Sequence, residues 1–201
     1  LSRALLIAVL LIFLILVAQF NSATTPIIIS VSVLLSLIGV LFGLLIFRMD
    51  FVVLMTMIGI ISLAGIVVNN AIVLIDYINL TVKRKRQLLK LDMGDKLNSL
   101  QLHECVVEGG RTRLRPVILT AITTILGLLP LALGININFR TLITELNPNF
   151  YIGGENVAFW GPMGWAIIFG LSFATFLTLV VVPILYYLIN KIRTKPLNVA
   201  M

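Results

Sequence analysis

The sequence predicts an all-α membrane protein, a bundle of five transmembrane helices, from three observations. Hydrophobic residues make up 60% of the 201-residue chain and charged residues only 11%, with a mean hydropathy of +1.12, outside the range of soluble domains. Apolar runs recur, each near the roughly 20 residues that cross a hydrocarbon core about 30 Å thick. Lys and Arg gather in two of the intervening segments, as topology requires of the cytoplasmic side.

The first three helices are expected within residues 1–78, at 1–18, 26–47 and 51–78. The chain opens at Leu1 in an apolar run, with no basic leader and no small-residue cleavage site, so a signal peptide is not indicated. An odd number of spans leaves the termini on opposite sides, and the chain reads as a C-terminal fragment. The turn "AQFNSATTPII" (18–28) places Pro26 where a helix begins without needing its N–H. Gly39 and Gly43 then form a GxxxG spacing suited to close helix packing.

The third helix contains "GIVVNNAIVLIDYI" (65–78), two amides in the middle of an apolar run that closes on an acid. Gly59, Ser62 and Gly65 form a stripe of small residues leading to Asn69, a face expected to pack on protein rather than lipid. Asp76 follows Asn69 by seven residues and returns to that face about 10 Å along the axis.

Residues 79–114 are expected to form a basic cytoplasmic loop. It holds Lys83, Arg84, Lys85, Arg86, Lys90, Lys96, Arg111 and Arg113, and Arg115 follows at the helix entry. Within it "DKLNSLQLHECVVEG" (95–109) has the spacing of an amphipathic helix, and "KRKR" (83–86) suits an anchor on anionic headgroups. With Lys191, Arg193 and Lys195 in the tail (191–201), twelve of the 15 basic residues fall on one side. The net charge of +7 is therefore a mark of membrane topology and not of nucleic-acid binding. Cys105 and His103 lie two apart with no further ligands at metal spacing, so no metal centre and no cofactor is expected.

The fourth helix is expected over 115–134, in "RTRLRPVILTAITTILGLLPLALG", with Pro116 at its start. Arg113, Thr120, Thr124 and Gly127 share a face to within about 40°. Each of Thr120, Thr123 and Thr124 can instead bond its own helix backbone and carry no further role. A loop on the outer side, periplasmic if the resemblance given below holds, spans 135–160, with Arg140, Glu145 and Glu155, and Phe150, Tyr151, Phe159, Trp160 and Trp165 at headgroup level. The fifth helix covers 161–190, with Pro183 near its inner end.

By depth, Asn69 and Thr120 meet at one level, and Arg113 faces Asp76 nearer the cytoplasm. The column of Asn69, Asn70, Thr120, Arg113 and Asp76 fits two roles: a route for protons or ions, or hydrogen-bond glue between helices, worth about 0.6 to 2 kcal/mol per bond. An intramembrane enzyme is not indicated, since there is no HExxH, no acid pair inside a helix and no Ser–His arrangement.

At these residues the chain resembles the C-terminal membrane region of resistance-nodulation-division (RND) transporters, the hydrophobe/amphiphile efflux type. "GIVVNNAIVLIDYIN", "RTRLRPVILTAITTILGLLPLALG" and "AFWGPMGWAIIFGLSFATFLTLVVVPILYYL" carry the resemblance, which extends over essentially the whole chain. It implies helices eight to twelve of a twelve-helix, proton-driven antiporter in the bacterial inner membrane. It further implies a homotrimer working with a periplasmic adaptor and an outer-membrane channel. The resemblance places Asn69 where many members hold a lysine that pairs with aspartates on helix four of the full twelve-helix pump, which is not among these five. Asn70, Asp76, Arg113 and Thr120 match family residues, the last two in its proton relay. A relative that moves metal ions or lipids, and a membrane scaffold that transports nothing, are the alternatives.

Overall fold

The computed structural model describes residues 2–20, 24–90, 97–137, 143 and 150–192. The described residues form five helices and one two-stranded ribbon: α1 (Ser2–Phe20), α2 (Thr24–Ile46), α3 (Val53–Leu88), α4 (Ser99–Leu133), β1 (Ile135–Ile137), β2 (Phe150–Ile152) and α5 (Glu155–Ile192). The expected charges Lys96, Arg140, Glu145, Arg193 and Lys195 lie outside them, as do residues 21–23 of the first turn.

Helix α5 is the hub. It packs against α2, α3 and α4, while α1 lies at the edge against α2 and α3. Among the described residues four helices, α2 to α5, are long and apolar enough to cross a membrane; the apolar run of α1, Leu6–Phe20, is shorter.

The helices overrun the boundaries that hydropathy suggests. Within the expected loop, residues 79–88 and 99–114 are helical. Helix α3 has 36 residues and extends for about 54 Å, well beyond a hydrocarbon core of about 30 Å. The amphipathic segment is the first part of α4, which continues through Pro116 without a break. Hydropathy marks where the lipid ends, whereas a helix persists for as long as its own hydrogen bonds and neighbours support it. Here Ile78 of α3 packs against Gly109 of α4, where an added Cβ would come within 2.7 Å of the Ile78 side chain. Beyond it Lys85 pairs with Glu104 at 3.2 Å. Gln101 accepts a hydrogen bond from the Asn98 backbone N–H at 3.1 Å, holding the start of α4.

At the other end Gly134 closes α4 in the left-handed region, φ 71°, a conformation that favours glycine. The chain turns into an antiparallel ribbon in which Ile135 pairs with Ile152 and Ile137 with Phe150. The Asn136 side chain donates to the carbonyls of Gly134 at 3.0 Å and Gly153 at 2.8 Å, tying the ribbon to α5. Within the expected loop of 135–160, residues 135–137 and 150–152 thus form a ribbon, and α5 begins at Glu155.

The core has two parts. Leu16, Ile29, Leu74, Ile75, Ile78, Val106 and Val182 pack near the basic end of the bundle. Val40, Ile60, Leu63, Ala166 and Leu171 pack towards the ribbon. Glycines set the helix spacing there. A Cβ on Gly39 would lie 2.6 Å from the Cβ of Phe173, and one on Gly43 would collide with the Phe169 ring. That ring stacks on Phe47 and Trp165, with centroids 4.9 and 5.2 Å away. The GxxxG spacing thus receives the aromatic side chains of α5.

Gly59 meets Met163 and Ala166 of α5. The rest of the small-residue stripe does not pack: Ser62 is exposed, and an added Cβ on Gly65 or on Gly127 would meet nothing within 4 Å.

Candidate functional site

Helices α3 and α4 run side by side and bring a buried amide of α3 to the hydroxyl of an exposed threonine of α4. Asn70 is 7% exposed, and Thr120 Oγ1 lies 3.5 Å from Asn70 Oδ1. The same hydroxyl is 2.9 Å from the Val117 carbonyl. A hydroxyl has one proton to give, and the shorter contact takes the larger share of it. The bridge between helices is therefore weak and readily exchanged. Thr123 and Thr124 donate to backbone carbonyls of their own helix at 2.8 to 3.0 Å, the silent arrangement open to any membrane threonine. Thr120 alone of the three reaches the neighbouring helix.

The other expected contacts differ. Asn69, one residue earlier, is exposed on the outer face of α3, as is Asp76. Arg113 does not pair with Asp76. Its guanidinium carbon stands 4.5 Å from the centre of the Tyr77 ring, a cation–π distance, and its Nε is buried with no acceptor. The cause is a single step of register. The face of α3 turned to α4 is that of Asn70 and Tyr77, seven residues apart, and not that of Asn69 and Asp76, which is rotated from it by about 100°.

Sequence reasoning missed two side chains. Tyr77 carried a signal in its seven-residue spacing from Asn70. Tyr186 of α5 carried none that a single sequence reveals: its hydroxyl donates to Asn79 Oδ1 at 2.6 Å across 107 positions.

Chemically, the α3–α4 site is a neutral amide and hydroxyl with one stacked guanidinium. It can pass or hold hydrogen bonds; neither an amide nor an aliphatic hydroxyl is a titrating group near neutral pH. Among the described residues there is no group of three His, Cys, Asp or Glu side chains able to hold a metal ion.

Residues 1–138 match the sequence profile of the AcrB/AcrD/AcrF family. The swarming motility protein SwrC of Bacillus subtilis is 37% identical over 195 residues, 97% of this chain and 16% of that protein. The multidrug resistance protein MdtC of Erwinia tasmaniensis is 30% identical over 159 residues, 79% of this chain and 12% of that protein. In structure the chain is similar to a heavy metal efflux pump solved by X-ray crystallography, with a TM-score of 0.69 and 30% identity, covering 94% of this chain and 15% of that one. The chain spans between 12% and 16% of the length of these three relatives.

Proposed function

The chain belongs to the AcrB/AcrD/AcrF family of RND transporters, and from that membership we propose that it is the C-terminal membrane part of a proton-driven efflux pump in a bacterial plasma membrane. Its basic end faces the cytoplasm, in keeping with the clustering of Lys and Arg there. The functional pump is a trimer that works with adaptor and channel components, and this chain contributes no enzymatic step.

The observation that carries the reading is the Asn70–Thr120 contact between two membrane-spanning helices, beside an outward face of α3 that bears Ser62, Asn69 and Asp76 uncovered. Polar side chains are costly against hydrocarbon and are retained inside membranes for partners or for transport. The uncovered face receives the remainder of the pump. Acids from that remainder supply the titrating charge, since Asn69 and Asn70 supply none. Protonation of those acids breaks hydrogen bonds to the amides, and α3 and α4 shift relative to one another. Such coupling requires that the two states differ in their contacts, and the shared proton of Thr120 suits an exchange of partners.

The test is proton-coupled efflux by the complete transporter bearing Asn69→Ala, Asn70→Ala or Thr120→Ala. Loss of coupling with retained expression is expected for Asn70 and Thr120. Full transport by all three variants leaves packing as their only role.

The similarity to a heavy metal efflux pump favours a second reading for the substrate, a metal ion, beside the drugs or other amphiphiles suggested by MdtC. Vesicle uptake assays with a cationic dye and with copper or zinc ions separate them.

A further inference from the structure

A hydroxyl side chain inside a helix ordinarily spends its proton on the carbonyl one turn back. Thr81, Thr112, Thr123 and Thr124 do so at 2.8 to 3.0 Å, and Ser172 of α5 does so at 2.7 Å. Thr175, less than one turn after Ser172, does not. It is 9% exposed, yet its Oγ1 is buried with no hydrogen-bond partner. A buried hydroxyl left unpaired costs free energy, and the relay described above does not use it.

Contacts on either side set its depth. Leu63 of α3 packs on Gly170 and Asn79 accepts from Tyr186, so the two parallel helices keep one offset of 107 positions over this stretch. That offset brings Asn70 to within two residues of Thr175, about 3 Å along the axis. On α4, Ala132 touches Gly164 and His103 meets Tyr187; interpolation between them places Thr120 within about one turn of Thr175. The facing sides agree as well. Asn70 follows Leu63 by seven residues and Thr175 follows Gly164 by eleven, steps that return each to within about 20° of a residue already in contact.

Within this layer the needs are complementary. The proton of Thr120 goes mainly to the Val117 carbonyl, at 2.9 Å, against 3.5 Å to Asn70 Oδ1. The buried Asn70 carbonyl is thus short of a donor, and Thr175 is a donor short of an acceptor.

We propose that Thr175 is a positioning residue of this site, resting on the relay reading above. When α3 and α4 shift, its hydroxyl donates to Asn70 Oδ1 and holds the amide while Thr120 stays bonded to its own helix. This structure, with Thr175 unbonded, is one of the two states. The hub helix α5 supplies the partner that makes the other.

The experiment is efflux driven by an imposed pH gradient in proteoliposomes of the complete transporter, read beside its melting temperature. Thr175→Val keeps the shape and removes the hydroxyl. Its efflux should fall about threefold to tenfold, the effect of one hydrogen bond between membrane helices, while its melting temperature holds or rises because an unpaired buried hydroxyl is gone. Thr175→Ser should restore efflux. Thr56 of α3 is the control: it is 0% exposed and its Oγ1 is also unpartnered, but it lies about 21 Å along the axis from Asn70. Thr56→Val should leave efflux unchanged. Adding Thr175→Val to Asn70→Ala should cost nothing further, since both remove one bond. If Thr175→Val fails to fold, Thr175→Ala carries the same comparison. Wild-type efflux by Thr175→Val, an equal loss in Thr175→Ser, or an equal loss in Thr56→Val overturns the proposal. Should Asn70→Ala and Thr120→Ala lose coupling while Thr175→Val keeps it, this inference alone fails; full transport by all three removes the relay reading too.

Discussion

Asn70 and Thr120 meet at 3.5 Å between α3 and α4, while Asn69, the adjacent amide, faces outward on the same helix. Two neighbouring residues of one type therefore have different partners, and their substitutions should have different consequences.

For the Asn70–Thr120 pair, Thr120→Val removes the hydroxyl and keeps the shape. Its cost in stability should be small, about 0.6 kcal/mol for an average hydrogen bond between membrane helices. Coupling of proton flow to efflux, measured in vesicles with an imposed pH gradient, should fall far more than thermal stability does. A parallel fall in the two would mark Thr120 as a packing residue.

Glycine substitutions on α2 and α3 should divide by what faces them. Gly43→Leu drives a side chain into the Phe169 ring, and overpacking of this kind costs about 1 to 3 kcal/mol. Lower yield and a lower melting temperature of the purified transporter are expected. Gly65 has open space in this chain; if the remainder of the pump packs there, as proposed, Gly65→Leu in the complete protein will impair assembly while Gly65→Ala is tolerated. Wild-type assembly of Gly65→Leu would falsify that docking face.

The Arg113–Tyr77 contact depends on a planar cation. Arg113→Lys keeps the charge but loses the flat stacking surface. A loss of about 0.5 to 2 kcal/mol is expected, the range of cation–π pairs from exposed to desolvated settings. Tyr77→Leu should lose a similar amount, and the double variant little more than either alone, which a double-mutant cycle reads directly.

Cys105 lies in the part of α4 before Pro116 and is 1% exposed. Burial pushes its thiol above the ordinary range, against the opposing pull of Lys85. Labelling by a maleimide at neutral pH should therefore be slow and should accelerate as pH rises past the ordinary thiol pKa of about 8.5. The folded state holds its proton where the unfolded state has begun to release it, so this group's contribution to stability is complete below that pH and declines above it. Rapid labelling at pH 7 would show that α4 opens locally around this residue.

The pair formed by Lys85 and Glu104 is a contrast. Their side chains are 36% and 54% exposed, and pairs this wet contribute about 0 to 1 kcal/mol. Glu104→Gln should leave the melting temperature nearly unchanged at physiological salt.

Much of the architecture was legible because lipid imposes one rule on every spanning segment. The runs that became α2, α3, α4 and α5 could be located from apolar length alone, and the basic segments from charge. The ends were not legible. Nothing in "KRKR" or in Pro116 reveals that α3 runs on to Leu88 or that α4 starts at Ser99, because the support for those extensions is mutual: Ile78 on Gly109, Lys85 with Glu104.

Nor could rotation be read. Spacing placed Asn69 with Asp76 and Asn70 with Tyr77 equally well, since both pairs are seven residues apart. Only the packing of α3 against α4 and α5 selects the second pair to meet Thr120 and Arg113. The sequence by itself determined that this chain spans a membrane, that polar groups sit at matched depths, and which family it resembles. The tertiary structure decided which polar groups touch, because one residue turns a helix by about 100° and only neighbouring helices can fix that angle.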